Sequence, residues 1–305
     1  MNGPVVVVAG LVKDYGADRA VDGLSFTIER GEVFALLGPN GAGKTTTVEI
    51  LEGHRHRTSG DVSVLGFDPH TGGRAFRERI GIVLQEAGFD EEFTVRELVS
   101  LYAGLYPRRR EVDEVIERVG LAEKATARTK TLSGGQRRRL DLALGIIGDP
   151  ELLFLDEPTT GFDPSARRRA WELIGSLRDL GTTIVLTTHY MEEAESLADR
   201  VAVIQGGRLV ALDTPANLVA HEGAEATICF DLPEGVAAED LPPVGVGPVR
   251  TRGGRVDIPS AQPTRDLHTL TDWALRRGVP LTGLSMARPT LEDVYLDLTE
   301  ADHHG

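Results

Sequence analysis

The sequence predicts an α/β fold with a mostly parallel sheet, followed by a small second domain. Short apolar runs at residues 33–37, 152–155 and 183–186 are typical of strands that are buried on both faces. Helical patterns, such as that of residues 166–178, separate these runs, and this alternation indicates parallel strands joined by helices. Beyond residue 223 the pattern changes to short strands and glycine or proline turns, which indicates a separate α+β unit.

Two further strands precede the first buried run, at residues 5–12 and 24–29. The second alternates between apolar and polar side chains, as a half-buried strand does, and together the two predict an antiparallel β-subdomain. Residues 201–205 and 208–212 predict a hairpin, because the Gly-Gly pair between them suits a two-residue loop.

A helical insertion is predicted at about residues 91–148. The strand signal disappears there, and helical periodicity replaces it at residues 96–106, 111–119 and 136–147. The predicted core is therefore interrupted by a subdomain built of helices alone.

The sequence predicts two domains, at residues 1–222 and 223–305. Residues 214–222 are expected to form a closing helix or a linker. In the second domain, helical patterns near residues 264–277 and 290–299 follow the short strands, so this domain is predicted to be α+β.

Charge and cysteine content exclude several classes of protein. The chain of 305 residues has a formal charge of −14 at pH 7, which argues against nucleic acid as a partner, because binding to phosphates requires a basic surface. Its single cysteine, Cys229, allows no internal disulfide and fits a reducing compartment. No signal peptide is evident, and no run approaches the roughly 20 apolar residues that span a bilayer. Any membrane function therefore requires another chain.

A glycine-rich loop follows the first buried strand and matches the phosphate-binding (P-loop) pattern. Its glycines let successive backbone N–H groups turn toward phosphate oxygens, and the helix that begins near Lys44 adds its positive end. Lys44 is expected to reach the β- and γ-phosphates of ATP, and the Thr45 hydroxyl to ligate Mg²⁺. The residues assigned to this cofactor site are Gly38, Pro39, Asn40, Gly41, Ala42, Gly43, Lys44, Thr45 and Thr46.

Two acidic residues, Asp156 and Glu157, end the apolar strand at residues 152–155. Beside a P-loop, Asp156 is expected to hold Mg²⁺ either directly or through water. Glu157 is then placed to act as the general base for the attacking water.

Polar residues also end two other predicted strands. Thr187-Thr188-His189 closes the run at residues 183–186, at the edge where parallel sheets bind ligands, so His189 is expected to contact the γ-phosphate and orient water. Gln85 follows an apolar run in the same way, and its amide is expected to reach Mg²⁺ or water.

The segment Leu132-Ser133-Gly134-Gly135-Gln136 predicts a second phosphate-binding helix start. Ser133 is a good N-cap, and the glycines expose backbone N–H groups. The following helix leads back toward the Asp156 strand over roughly 20 Å, so the glycines are expected to point away from this chain's own phosphate. The simplest explanation is a second copy of the chain, with each copy contributing this tip to the ATP of the other.

These motifs, in this order, resemble those of the ATP-binding cassette (ABC) ATPases over roughly residues 4–220. The resemblance implies that Gln85 lies in the glutamine loop, that Ser133, Gly134, Gly135 and Gln136 belong to the signature, and that His189 is the switch histidine. It also implies that Tyr15 stacks on adenine, with core packing as the alternative. Asp163, in Gly161-Phe162-Asp163-Pro164, is similar to the loop that communicates across the dimer, although Phe162 stands where the family usually has leucine.

Two segments resemble the bacterial drug exporters of the daunorubicin-resistance type, namely residues 188–195 and residues 289–295. The resemblance implies an ATPase that dimerises around two Mg-ATP, lies on the cytoplasmic face of the membrane as a peripheral protein, and drives a separate permease subunit. The implied cargo is a drug, a lipid or another hydrophobic compound. The tail domain is implied to be regulatory or to stabilise the dimer.

Two other classes of P-loop protein were weighed. Soluble ABC ATPases that act on nucleic acid or the ribosome usually carry two cassettes, zinc-binding cysteines or long coiled-coil inserts, and this chain has none. A GTPase would need an Asn-Lys-x-Asp element to recognise guanine, and none occurs. The signature at residues 132–136 would also remain unexplained.

Three arginine runs, at residues 108–110, 137–139 and 167–169, are interpreted as solvated helix faces. One of them is left open as a contact for an acidic loop of a partner. His54 and His56 lack a nearby third ligand, which argues against a metal pair.

Overall fold

The computed structural model describes residues 3–83, 92–178, 181–220, 226–233, 235–287 and 290–295. By its internal contacts the chain divides into two compact units, Met1–Thr214 and Pro215–Gly305. The sequence predicted a boundary after residue 222, whereas the structure divides the chain after Thr214. Most of the segment that was expected to close the first domain therefore belongs to the second unit.

The strands are, in chain order, β1 (Val6–Tyr15), β2 (Asp18–Ile28), β3 (Val33–Leu37), β4 (Ser59–Val64), β5 (Ile80–Val83), β6 (Leu152–Asp156), β7 (Thr183–Thr188), β8 (Arg200–Gln205), β9 (Arg208–Asp213), β10 (Ala226–Asp231), β11 (Arg250–Arg252), β12 (Arg255–Ser260) and β13 (Ser285–Ala287). The helices are α1 (Lys44–Leu51), α2 (Gly73–Arg77), α3 (Val95–Ala103), α4 (Val112–Arg118), α5 (Gly134–Ile146), α6 (Pro164–Arg178), α7 (Met191–Leu197), α8 (Pro215–Ala220) and α9 (Pro263–Arg277).

The central sheet of the first unit has the strand order β5-β6-β7-β3-β8-β9. Its strands pair in parallel except for β9, which forms a hairpin with β8 across Gly206 and Gly207. Both glycines have positive φ angles, 53° and 79°, which a two-residue hairpin loop requires. Every residue of β3 is buried, as its apolar sequence predicts. The mostly parallel sheet is therefore confirmed.

A second sheet, with the order β2-β1-β4, is antiparallel throughout and confirms the predicted β-subdomain. Strand β4 was missed, because its sequence, Ser-Gly-Asp-Val-Ser-Val, has only two apolar residues. The two sheets share one hydrophobic core, in which the rings of Phe26 and Phe34 stack 5.3 Å apart. The β-subdomain is thus fixed to the sheet that carries the P-loop.

The predicted helical insertion is also present. Helices α3, α4 and α5 occur within residues 92–148, a stretch described throughout, which contains no named strand. Thr94 and Glu97 form a capping box at the start of α3, which defines where the insertion begins.

The second unit contains an antiparallel sheet of order β11-β12-β10-β13. Leu270 of α9 packs with Phe230 and Ile258 of this sheet in a separate core, so the unit is α+β as predicted. Residues 291–295 are helical, and Thr290 caps them by accepting the Asp293 backbone N–H at 3.4 Å. No helix within the described residues is both long and apolar enough to cross a membrane.

Candidate functional site

Three adjacent parallel strands, β6, β7 and β3, bring the predicted site residues to one edge of the central sheet. Asp156 ends β6, Thr188 ends β7, and the P-loop follows β3. Because the carboxyl ends of parallel strands meet at the same edge, the acids, the histidine and the glycine loop lie close together.

The P-loop is packed so tightly that two of its glycines admit no side chain. A Cβ atom at Gly43 would lie 2.3 Å from the carbonyl oxygen of Ala20, and one at Gly38 would lie 2.3 Å from that of Ile204. Gly43 also has a φ of 97°, in the left-handed region, and is the N-cap residue of α1. From the sequence, backbone freedom alone explains the glycines of this loop. The structure adds a steric reason at these two positions.

Lys44 is held inside the loop and is only 5% exposed. Its Nζ atom donates to the carbonyl oxygens of Gly38 at 2.7 Å and of Pro39 at 3.0 Å. Burial lowers the pKa of Lys44, whereas the negative charges of Glu157 and Asp156 raise it. The carbonyl groups of the loop thus position the ammonium, and the two acids supply nearby negative charge.

One hydroxyl group organises both acids. Thr187 Oγ1 donates to Asp156 Oδ1 at 2.5 Å and accepts the backbone N–H of Glu157 at 3.0 Å. Thr187 pairs with Asp156 in the register of β6 and β7, which explains why its side chain reaches both groups. No role was predicted for Thr187 itself, although a polar side chain in a buried strand is a usable signal.

Glu157 is held in an unusual conformation. Its φ angle is 44°, a left-handed value that costs a residue with a side chain roughly 1–2 kcal/mol. The carboxylate accepts the Thr160 hydroxyl at 3.0 Å, and its Oε1 atom lies 3.2 Å from Nδ1 of His189. Backbone strain that the surroundings maintain is a feature of functional sites, and here it orients a carboxylate.

A cavity of about 460 Å³ lies over the loop, within the range of small-ligand sites. Its lining residues are Ala20, Asn40, Gly41, Gly43, Lys44, Thr45, Thr46 and Glu157. The structure thus brings seven of the predicted residues, all except Ala20, around one space. Asp156 and His189 adjoin this set through their contacts with Thr187 and Glu157.

The oxygen donors at the cavity suit a magnesium ion. Thr45 contributes a hydroxyl and Asp156 a carboxylate, and Mg²⁺ prefers a few such protein oxygens together with water and substrate phosphate. Gln85, the third predicted ligand, lies outside the described residues. Its assignment to metal or water remains a prediction.

The start of α5 forms the expected cap. Ser133 Oγ accepts the Gln136 backbone N–H at 3.3 Å, and Gln136 Oε1 accepts the Ser133 N–H at 2.9 Å. Among the described residues, a Cβ atom at Gly134 or Gly135 would meet nothing within 4 Å. The side chain of Gln136 therefore helps to cap the helix. No contact among the described residues requires glycine at position 134 or 135.

Asp163 and Tyr15 lie apart from the cavity lining. Asp163 Oδ1 accepts the backbone N–H groups of Ser165 and Ala166, both at 2.9 Å, and so caps α6, and these bonds lower its pKa. Tyr15 is 40% exposed, which disfavours core packing, and the cationic groups of Lys13 and Arg55 lie 4.8 and 5.4 Å from its ring centre.

The interpretation of the arginine runs as solvated helix faces is wrong at two places. Residues 108–110 lie between α3 and α4 and not on a helix. Arg138, in the run at residues 137–139, is not on a solvated face but is only 8% exposed. Its guanidinium donates to the carbonyl oxygens of Asp156 at 3.0 Å and of Pro158 at 3.1 Å. Three consecutive arginines suggested a charged surface, but a helix turns about 100° per residue, so the middle one of three can face the core.

Comparison with known proteins assigns the family. The chain is 39% identical to the daunorubicin resistance ATP-binding protein DrrA3 of Streptomyces coeruleorubidus, over 99% of this chain and 98% of that protein. It belongs to the ATP-binding proteins of ABC transporters. This ABC protein is also 41% identical to the Nod factor export ATP-binding protein I of Ralstonia nicotianae, over 97% of this chain and 94% of the relative.

Family models match both parts of the chain. The model described as ABC transporter matches residues 21–160, and that of the C-terminal domain of ABC transporter domain-containing-like proteins matches residues 226–290. A solved structure, cbiO1 from Clostridium perfringens, described as part of an ABC transporter complex, is 29% identical. It has a TM-score of 0.65, covering 72% of this chain and 92% of that one. This ABC protein is accordingly an ATP-binding ATPase with a P-loop NTPase fold.

Proposed function

We propose that this ABC ATPase works as a pair of identical chains that enclose two Mg-ATP. Each ATP would be gripped by the P-loop of one chain and covered by the start of α5 from the other. Closure on ATP and reopening after hydrolysis would drive a separate permease subunit in the membrane, with the ATPase as a peripheral protein on its cytoplasmic face.

The two glycines at the start of α5 carry this proposal. Glycine costs about 1 kcal/mol relative to alanine in a helix, and neither Gly134 nor Gly135 has the positive φ that would compensate. Within the described part of the chain, no neighbour lies close enough to exclude a side chain at either position. A group outside the chain that approaches the helix backbone closely would explain both glycines. The triphosphate of a second copy's ATP has that chemistry, because helix starts bind anions.

Hydrolysis in this proposal uses the acids and the histidine at the sheet edge. Lys44 would hold the β- and γ-phosphates, and Thr45 and Asp156 would hold Mg²⁺, which would neutralise phosphate charge when it is bound. Glu157 accepts a proton from the attacking water. His189, 3.2 Å from the Glu157 carboxylate, keeps the carboxylate oriented and contacts the γ-phosphate.

Export is supported by the relatives, whose names refer to daunorubicin resistance and to Nod factor export. The proposed cargo is a drug, a lipid or another hydrophobic compound, which a separate membrane chain would select. In this proposal the helices between residues 92 and 148 transmit the closing motion to that chain. The second unit would stabilise the dimer or regulate it.

A mixing experiment tests the shared sites. A Lys44→Ala chain cannot grip ATP, and a Ser133→Arg chain cannot cover it, so neither is active alone. A mixed pair contains one intact site, built from Lys44 of the second chain and Ser133 of the first. ATPase activity should therefore reappear on mixing, up to about a quarter of the wild-type rate, since half of the random pairs are mixed and each has one intact site of two. No recovery despite mixed dimers in cross-linking would contradict the proposal.

A further inference from the structure

Arg138 connects the start of α5 to the main chain that carries the acids. It lies five residues after Ser133, or about 7.5 Å along the helix axis at 1.5 Å per residue. Its Nη2 atom donates to the carbonyl oxygens of Asp156 at 3.0 Å and Glu157 at 3.4 Å, and its Nε atom to that of Pro158 at 3.1 Å. One planar group thus binds three consecutive peptide carbonyls.

Burying this charge is costly, which argues that the contact has a purpose. Arg138 is 8% exposed, and burial lowers its pKa, opposed by the charges of Asp141, Asp156 and Glu193. Asp141, three residues further along α5, is itself buried, and burial raises its pKa to about 7. A hydrophobic side chain would pack in the same place without this penalty.

A second buried charge holds the next residue of the same segment. Glu193 of α7 is fully buried, and its Oε1 atom accepts the Thr159 hydroxyl at 2.7 Å and the Trp171 Nε1–H at 3.1 Å. Helix α7 begins two residues after His189. Residues 156–159 are therefore held by α5 through Arg138 and by α7 through Glu193.

The strain at Glu157 explains why such support is needed. Its left-handed φ persists only if the peptide groups on both sides are fixed. Arg138 binds the carbonyl oxygens of Asp156, Glu157 and Pro158. Rotation of these peptide groups would therefore break its hydrogen bonds. Without them, Glu157 could relax to an ordinary φ, and its carboxylate would turn away from His189.

We propose that Arg138 is a positioning residue that makes the start of α5 and the Glu157 segment move together. The inference rests on the proposed pairing. In a pair, α5 of one chain covers the ATP held by the other, while Glu157 acts on the ATP held by its own chain. Arg138 thereby links the occupancy of one site to the alignment of the acid in the other.

Replacing Arg138 by methionine tests this link, because methionine keeps an apolar stem and removes every donor. The expected result is a fall in kcat of about 10- to 100-fold with ATP affinity unchanged within about two-fold, as a misplacement of about 1 Å can cause. The Hill coefficient for ATP is expected to exceed 1 in the wild type and to fall toward 1 in Arg138→Met. Arg138→Lys, which offers a single donor group, should give an intermediate kcat and serves as the second variant if Arg138→Met folds poorly.

Arg137→Met is the matched control, since it removes the same charge from the preceding position of α5. The Nη2 atom of Arg137 donates to the Lys130 carbonyl instead. This variant should retain most of the activity and the Hill coefficient. In a Glu157→Gln background, Arg138→Met should lower the residual rate no further, because Arg138 acts through Glu157. Independent, multiplying effects would overturn the inference.

The experiments distinguish a failure of the proposed dimer from a failure of the coupling through Arg138. If Glu157→Gln forms no ATP-dependent dimer in gel filtration, the pairing fails, and the link fails with it. If that dimer forms and Arg138→Met keeps the wild-type kcat and Hill coefficient, only the link is overturned.

Discussion

Nδ1 of His189 lies 3.2 Å from Oε1 of Glu157, so the ends of two adjacent strands are joined by one side-chain contact. The contact orients a carboxylate that its own backbone holds in a strained conformation. The same carboxylate accepts the Thr160 hydroxyl at 3.0 Å, so two side chains fix its orientation. Substitution of Glu157 or His189 should therefore affect the proton transfer more than the binding of ATP.

Glu157→Gln should lower kcat by at least about 100-fold, because an amide cannot accept the proton from water. ATP binding should persist, and the variant should accumulate as a closed dimer with ATP. Steady-state ATPase assays and gel filtration measure the two effects. Glu123→Gln, at an exposed position, is the control and should behave as wild type. Brisk hydrolysis by Glu157→Gln would refute the assignment of the base.

Gly43→Ala should abolish ATP binding and destabilise the first unit. The added Cβ would lie 2.3 Å from the Ala20 carbonyl oxygen, and alanine is disfavoured at a φ of 97°. The loop must shift by more than a side-chain adjustment, so a loss of at least about 2 kcal/mol in unfolding free energy is expected. Urea denaturation and nucleotide titration would measure it, and wild-type binding would contradict the tight packing.

Gly135→Ala should separate stability from activity. Alanine meets no described neighbour there and is the better helix former, so the isolated chain should gain up to about 1 kcal/mol in unfolding free energy. ATPase activity should nevertheless fall, because the methyl group would occupy the space that a partner's triphosphate approaches. A variant that is more stable and equally active would argue against that close approach.

Glu52→Gln should change the pH dependence of stability. Burial, reinforced by the nearby charges of Asp156 and Glu49, raises the pKa of Glu52 from its ordinary 4.5 to about 8. Folding therefore takes up a proton, so wild-type stability should fall as pH rises from about 4.5 to 8 and then level off. The neutral glutamine should remove this fall and add about 4 kcal/mol near pH 8, with little difference near pH 4.5.

The neutral carboxyl of Glu52 has one polar contact to preserve. Its Oε2 atom lies 3.2 Å from Nδ1 of His54, and the glutamine amide can make the same hydrogen bond. Urea denaturation at several pH values measures the effect, with exposed Glu123→Gln as the control. Parallel pH profiles of stability for the Glu52 variant and the wild type would show that burial does not raise the pKa of this carboxyl.

The sequence was most informative where a residue's chemistry contradicted its surroundings. Acids at the end of an apolar strand and glycines at a helix start have no structural advantage, so Asp156, Glu157 and Gly135 could be proposed as site residues from the pattern alone. Strand β4 could not, because four of its six residues are small or polar and its pairing with β1 is a long-range contact. Local propensity carries no information about such a partner.

Buried charges were the other class that the sequence could not reveal. Arg138 and Glu193 look like ordinary charged residues of surface helices, and only the fold shows that both are buried. Burial depends on which face of a helix the rest of the chain covers, and a run of three arginines gives no preferred face. Thr187 was overlooked for a related reason, since its two hydrogen bonds connect residues that are distant in the sequence.

That threonine has a consequence for related genes. Valine has nearly the same shape and would preserve the packing of β7, yet it would deprive both Asp156 and Glu157 of their shared oxygen. A copy with valine there would keep every recognisable motif, yet the hydrogen bonds that join its two acids would be lost.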